Sequence, residues 1–375
     1  MTHRLRILRE YVRAEAPALR GAARAPDGEP LRAPLLGRLA TLQIPRAYAR
    51  APLVLDGEEY FVLSAVERVV FHEEAAAYGD AAALLSAPGS LTAGMLVAAL
   101  GDDEQQSAFF GRLHERPTWT FLAMTEPGGG SDATRLDTTL EPAGSSFVLN
   151  GEKRYVGNAH RAATGVVTAR TRPGPLGIRC ALVDTRAPGF SAAPIPTLGM
   201  RGALGALRFT DLAVPEEALL GRHLPATRRG MWGWLHAFNP LRCVAAALGV
   251  GLARAAHLYV TARLAGQDAA RRRALAELGA RIDGVRSLTM AAARAVDADP
   301  GNAHLPAAAK TAAAGLAVGA TTTALRLLGP GARLEHPRLD QWARDAHGIE
   351  HMEGTSHIQR MAVSGALARG GLSPA

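Results

Sequence analysis

Near the C-terminal end, the stretch Arg344-Asp345-Ala346-His347-Gly348-Ile349-Glu350-His351-Met352-Glu353-Gly354-Thr355-Ser356-His357-Ile358-Gln359-Arg360 holds one carboxylate, Glu353, placed as a proton acceptor would be. Gly348 and Gly354 are expected to break regular structure on either side of a short mixed-polarity segment. Thr355 or Ser356 can cap a following helix; Ser356 with Gln359 fits the capping-box spacing, and Ile358 and Met361 supply apolar positions beyond it. Glu353 would then sit in a turn at the mouth of a helix and point into a cleft, where a carboxylate can act as a general base. The competing reading is a solvated turn glutamate. A second stretch, Phe121-Leu122-Ala123-Met124-Thr125-Glu126-Pro127-Gly128-Gly129-Gly130-Ser131-Asp132, puts three glycines after a predicted strand. Backbone N–H groups there can approach a ligand closely, with the Thr125 and Ser131 hydroxyls beside them. No Gly-Lys-Ser/Thr follows, so this is not a P-loop, and it does not open a helix in a βαβ unit, so it is not a dinucleotide fingerprint.

The elements that must position these groups follow from pattern. Residues 1–117 read as mainly helical: Leu5, Leu8, Tyr11 and Val12 recur at helical spacing, Leu53 to Leu63 carries a turn, and Leu63 to Ala77 is a long helix. Ala81 to Leu100 is a second helical run, interrupted at Pro88-Gly89-Ser90, and Gly101-Asp102-Asp103-Glu104 opens another with acidic residues where the helix dipole favours them. Residues 118–222 read as an all-β unit. Phe147-Val148-Leu149 and Glu152 to Val156 flank Asn150-Gly151, a hairpin signal, and Gly165 to Arg170, Arg179 to Asp184 and Ala206 to Phe209 are further short strands. Residues 223–375 return to helix, with Leu241 to Ala262, Ala269 to Val296 and Leu305 to Leu328 rich in small residues that suit a bundle. The fold class is α+β: an N-terminal helical domain, an all-β middle domain and a C-terminal helical bundle.

Composition bounds the rest. The 375-residue, 39.3 kDa chain is 48% hydrophobic and 20% charged, as expected of a soluble globular protein. Lys153 and Lys310 are its only lysines, so arginine carries nearly all of a net charge of +8. Such a surface favours acidic partners, a phosphate-bearing substrate or an acidic carrier protein. No basic cluster interleaved with aromatics suggests nucleic acid. Cys180 and Cys243 are expected to be buried free thiols in a reducing compartment. Met1 to Ala16 has no apolar core for a signal peptide; Ala81 to Gly101 is broken by Pro88-Gly89-Ser90, and Thr311 to Leu325 is too short for a span. A cytoplasmic protein without membrane contact or metal is expected.

Met124-Thr125-Glu126-Pro127-Gly128-Gly129-Gly130-Ser131-Asp132 resembles the Thr-Glu-Pro-Gly-x-Gly-Ser-Asp signature of the acyl-CoA dehydrogenase family. Leu149-Asn150-Gly151-Glu152-Lys153-Arg154-Tyr155-Val156-Gly157-Asn158, Leu198-Gly199-Met200-Arg201-Gly202, Asp211 to Pro215, and Arg344-Asp345-Ala346 with Met352 to Arg360 are similar to further elements of that family, in the same order along the chain. The resemblance implies that the middle domain is β-barrel-like, between an N-terminal helical domain and a C-terminal helical bundle, with FAD between the domains, and that the chain forms a homo-oligomer, a dimer or tetramer. It implies that Glu353 removes the α-proton of an acyl-CoA or other acyl thioester while the flavin takes the β-hydride, and that electrons pass to an acceptor such as an electron-transfer flavoprotein. Met124, Thr125, Gly130 and Ser131 would line the flavin and the thioester's approach, and Tyr155, Val156 and Gly157 would lie along the flavin ring. Thr355 and His357 would reach FAD of this or a neighbouring subunit, Arg242 would stand at the substrate's mouth, and Gly354 would help form the thioester pocket. Where some relatives carry the base on the C-terminal bundle, this chain has Leu241.

Three departures stand out. Gly157 replaces a threonine or serine. The Arg-x-x-Phe-Gly motif expected after Tyr259 and Arg263 is missing from Arg263-Leu264-Ala265-Gly266-Gln267-Asp268. Arg326 replaces glutamine in the Gln-x-x-Gly-Gly loop, here Arg326-Leu327-Leu328-Gly329-Pro330-Gly331, and is expected, or Arg271 to Arg273, to pair with the FAD pyrophosphate. A dehydrogenase of carrier-tethered acyl groups and a non-catalytic, flavin-poor family member are the alternatives; retention of Glu353 argues against the second.

Overall fold

The computed structural model describes residues 2–20, 33–89, 91–115, 118–132, 134–264 and 268–370. Its first part is helical: α1 (His3–Glu15), α2 (Pro34–Thr41), α3 (Ala65–Tyr78), α4 (Ala81–Leu85), α5 (Leu91–Leu100) and α6 (Asp103–Glu115). A short antiparallel hairpin, β1 (Leu53–Leu55) and β2 (Glu58–Tyr60), precedes α3. Ser64 and Glu67 form a reciprocal capping box at the start of α3, and Asp297 accepts from the Ala65 and Val66 N–H groups. The interruption expected near Pro88 is present between α4 and α5, Ser90 itself lying outside the described residues.

Among the described residues seven strands follow: β3 (Thr120–Ala123), β4 (Thr139–Ala143), β5 (Ser146–Gly157), β6 (Thr164–Arg170), β7 (Ile178–Asp184), β8 (Phe190–Pro194) and β9 (Leu204–Pro215). Their order is β3-β6-β4-β5-β9-β8, with β7 paired along β6, in a curled sheet. Asn150-Gly151 does not turn the chain. β5 runs straight through it, bulging against β9 between Leu149 and Gly151. The Asn150 amide is satisfied sideways, its Nδ2 donating to Asp211 and its Oδ1 accepting from the Asp211 N–H. The hairpin turn lies earlier, at Gly144, between β4 and β5. Strands β4 and β8 lacked a pattern to mark them, because both expose most of their side chains.

The last part packs α7 (Met231–Arg263), α8 (Ala269–Ala298) and α9 (His304–Leu328) against α3, with α10 (Ala332–Glu335), α11 (Pro337–His351) and α12 (Ser356–Ala368) closing it. Helix α7 starts ten residues before Leu241 and carries Pro240 inside it. Trp234 and Ala237, buried against α5, hold the first turns despite the lost N–H. Gly348 likewise does not break a helix. It lies within α11, where a Cβ would stand 2.7 Å from the Met200 side chain. Small residues do serve close packing: a Cβ on Gly249 would meet Ala313, and one on Gly251 would meet Ala76.

Glu73 and Glu74 of α3 are buried among arginines of three helices. Arg254 (α7) reaches both, Arg286 (α8) reaches Glu73 at 2.6 Å, and Arg13 (α1) reaches Glu74 at 2.8 Å. Burial opposes ionisation of Glu74, but Arg13 and Arg254 hold its pKa below the ordinary range. Cys180 and Cys243 are buried and free. Helices α7 and α9 are long and apolar enough to cross a bilayer by length and composition, α9 extending beyond the run expected from Thr311 to Leu325. Both are packed into the bundle.

The bulge gives a direct test. Gly151 has φ near +142°, and a Cβ there would lie 2.7 Å from Thr138 Cα. Gly151→Ala is expected to destabilise the fold by roughly 2 kcal/mol or more, read as a lower thermal midpoint.

Candidate active site

Glu353 lies between α11 and α12 with φ near +52°, in the left-handed region that a non-glycine residue rarely occupies. Three side chains hold it there. Lys310, two turns into α9, donates to the carbonyls of Glu350 and Gly354, each at 2.7 Å. Gln359, one turn into α12, donates its amide to the carbonyls of Glu353 (2.8 Å) and Gly354 (3.1 Å). Glu350 accepts from the Ser356 N–H at 2.7 Å and the Ser356 hydroxyl at 2.6 Å. The expected Ser356–Gln359 capping box is therefore not formed. Thr355 is the N-cap residue of α12 and makes no side-chain cap bond, while Ser356 and Gln359 are both engaged in fixing the turn before it.

Burial pushes the Glu353 carboxyl up to about 7, and Arg242 and Lys310 pull against that rise. Arg242 lies inside α7, almost fully buried, its Nη1 donating to Asn239 Oδ1 at 2.9 Å and its Nε without a hydrogen-bond partner among the described residues. Asn239 is tied in turn to the Pro300 carbonyl. Leu241 is buried beside Arg242.

The glycine loop is fixed from beneath. Lys153 is fully buried and donates to the Met124 carbonyl at 3.0 Å and to Glu126 at 2.8 Å. Glu126 also accepts from the Asp137 and Thr138 N–H groups, and burial, which opposes its charge, is outweighed so that its pKa is lowered. The Arg154 N–H donates to the Thr125 carbonyl, which brings Met124, Thr125 and Gly130 beside Tyr155, Val156 and Gly157. Gly130 packs on the Thr125 side chain, Ser131 is exposed, Tyr155 is half exposed with φ near +58°, and Val156 is buried. At Gly157 a Cβ would meet only open space.

A spacer joins the two clusters. The Asn158 N–H donates to the Ala203 carbonyl, and the Met200 N–H donates to Asp345 of α11 at 2.7 Å. Arg326 and Gly329 lie elsewhere, at the far end of α9, about 24 Å along the helix from Lys310. With Thr322 and Arg333 they line a cavity of about 390 Å³. His357 is exposed on α12, and Gly354 and Thr355 directly follow Glu353. Ala265 to Gln267, where the Arg-x-x-Phe-Gly motif is missing, lie outside the described residues.

Residues 122–212 match the family model for the acyl-CoA dehydrogenase middle domain, and residues 228–368 the one for its C-terminal domain. A Bacillus subtilis protein described as a probable acyl-CoA dehydrogenase is 31% identical over 72% of this chain and 73% of its own. The human mitochondrial short-chain specific acyl-CoA dehydrogenase is 31% identical over 76% of this chain and 71% of its own. The chain belongs to the acyl-CoA dehydrogenase family. The fold also superposes on a prolyl acyl carrier protein oxidase with a TM-score of 0.83, at 20% identity, covering 98% of this chain and 99% of that one.

For a member of the acyl-CoA dehydrogenase family, the residues present suit FAD chemically. The exposed Gly128 to Gly130 backbone, the half-exposed Tyr155 ring and the open space at Gly157 could border a flat ring, and Arg326 with Arg333 could face a pyrophosphate. Lys310, Lys153 and Arg333 escaped the reading of the sequence. Their signal was rarity in the first two cases: a chain that uses arginine almost everywhere keeps lysine at two buried positions.

Glu353 ionises less readily folded than unfolded, so its contribution to stability is fully present below about pH 4.5 and is lost as pH rises through about 7. Glu353→Gln is expected to gain stability relative to the parent at pH 8, on the order of 2 kcal/mol after allowance for partial exposure, and much less at pH 4.5. Thermal melts at the two pH values check this.

Proposed function

We propose that this chain catalyses FAD-dependent α,β-dehydrogenation of an acyl thioester, an oxidation at a CH–CH bond, with Glu353 removing the α-proton. The observation that carries the assignment of the base is the setting of Glu353: a carboxylate raised by burial to about 7, in a left-handed turn fixed by Lys310, Gln359 and Glu350. A proton next to a thioester carbonyl is weakly acidic, and a base whose proton affinity lies near the working pH removes it best. Among the described residues no hydrogen bond takes up the Glu353 N–H, which supports its use as a donor to the thioester oxygen as enolate character grows. The proton ends on the Glu353 carboxylate, where Arg242 and Lys310 limit how tightly it is held. The β-hydride needs an acceptor that no side chain provides, and FAD, when bound, would supply that chemistry.

Met124, Thr125, Gly130, Ser131, Tyr155, Val156, Gly157, Thr355 and His357 are assigned to the flavin, and Ser131, Arg242 and Gly354 to the substrate. The distance of Arg326 and Gly329 along α9 from Lys310, which holds the Glu353 turn, supports their serving FAD held mainly by a second copy, in a homodimer or tetramer. Electrons would leave to an acceptor such as an electron-transfer flavoprotein, in the cytoplasm. A carrier-tethered acyl group is the second reading, favoured by the net charge of +8 and the likeness to a carrier protein oxidase. Bleaching of the flavin by an acyl-CoA and by the same acyl group on a carrier protein separates the two.

Glu353→Gln is expected to keep its flavin and lose substrate bleaching by roughly two to four orders of magnitude, the range of a positioned general base. Bleaching at the parent rate would refute the assignment. In the parent, the bleaching rate should climb as pH rises through about 7. Arg326→Ala should weaken FAD retention about tenfold or more, measured by equilibrium dialysis, with the fold unchanged.

A further inference from the structure

Both lysines of this chain are completely enclosed, although arginine supplies the other basic residues. Lys153 holds the glycine loop; Lys310 enters the turn of Glu353 from a different helix and touches none of the groups the reaction consumes. Resting on the reading of Glu353 as base, we propose that Lys310 is a positioning residue: its ammonium, clasped between the Glu350 and Gly354 carbonyls, fixes the left-handed turn and keeps the Glu353 carboxylate ionisable at neutral pH.

The two carbonyls bracket Glu353, three residues before it and one after, so a single ammonium closes the loop that carries the base. Without Lys310 the Glu350 carbonyl loses its side-chain donor, and Gly354 keeps only the longer bond from Gln359. A compact head with three rotatable N–H groups can converge on two carbonyls in an enclosed space; a planar guanidinium is larger and holds its donors in a fixed fork. That explains lysine here in an arginine-rich chain.

The charge matters as well as the bonds. The charged groups that face Glu353 are Arg242 from α7 and Lys310 from α9. Lys310 faces Glu350, Glu353 and Arg242 in turn, and the Glu350 carboxylate is engaged with Ser356. From α12, Ser356 and Gln359 face the turn, both uncharged. Removing Lys310 therefore leaves Arg242 as the one remaining cation among the described groups acting on the base.

The test labels the protein with carboxyl-¹³C glutamate and follows the Glu353 resonance, assigned by its absence in Glu353→Gln, as a function of pH in the FAD-loaded protein. Lys310→Met should raise the pH at which Glu353 ionises by at least one unit, a tenfold gain in proton affinity. With butyryl-CoA as probe, kcat at pH 7 should fall tenfold or more, KM should change little, and the acidic limb of the pH profile should move up with the resonance. Lys310→Gln, uncharged but able to donate, carries the same expectation for the ionisation should Lys310→Met fail to fold. An unmoved Glu353 ionisation in either folded variant would overturn the proposal, and so would failure of both to fold, the mark of a purely structural lysine. Persistent bleaching by Glu353→Gln would remove the base reading while leaving the ionisation shift to stand or fall by itself.

Discussion

Taking a carboxylate out of water raises its affinity for protons and makes its backbone hard to hold, since the same enclosure removes the water that would satisfy neighbouring carbonyls. The turn at Glu353 meets both demands with buried donors. Lys310 and Gln359 supply N–H groups to the carbonyls of Glu350, Glu353 and Gly354, and Glu350 takes up the first donors of α12. Because Lys310 comes from α9, Arg242 from α7 and the turn from α11 and α12, the base is positioned only when the whole C-terminal bundle has packed.

The bundle in turn depends on close approach. Glycine and alanine along α7 let it sit against α3 and α9 almost backbone to backbone, and such a seam has little side-chain interdigitation to fix its register. The enclosed cluster of Glu73 and Glu74 with arginines from α1, α7 and α8 provides that registration. Ion pairs buried this deeply add less stability than specificity, because desolvation offsets much of the attraction. On the other side, the Asp345–Met200 bond and the Gly348–Met200 contact lock the β8–β9 connection to α11. The glycine loop and the base thus share one rigid frame.

Much of this was legible in the sequence. The order helix, sheet, helix followed from hydrophobic period and turn residues, and Glu353 stood out through its neighbours. What misled was local chemistry read without its partners. Asn150-Gly151 has the composition of a tight turn, but Asp211 on the adjacent strand satisfies the asparagine and the glycine absorbs a bulge. Ser356 and Gln359 have capping-box spacing, yet both are recruited by the preceding turn. Gly348 and Pro240 look like helix breakers and are carried inside helices by tertiary packing. Each miss is a case in which a contact distant in sequence outweighed an intrinsic preference.

The enclosure of both lysines has a consequence for the chemistry such a protein lives with. Thioesters acylate neutral primary amines without any enzyme, and a protein that handles them is exposed to its own substrates. Arginine does not react in this way at neutral pH, because its guanidinium stays protonated. This chain offers solvent a surface of arginines and keeps each of its ε-amines inside, one against Glu126 and one between two carbonyls. It therefore presents no side-chain amine to be acylated.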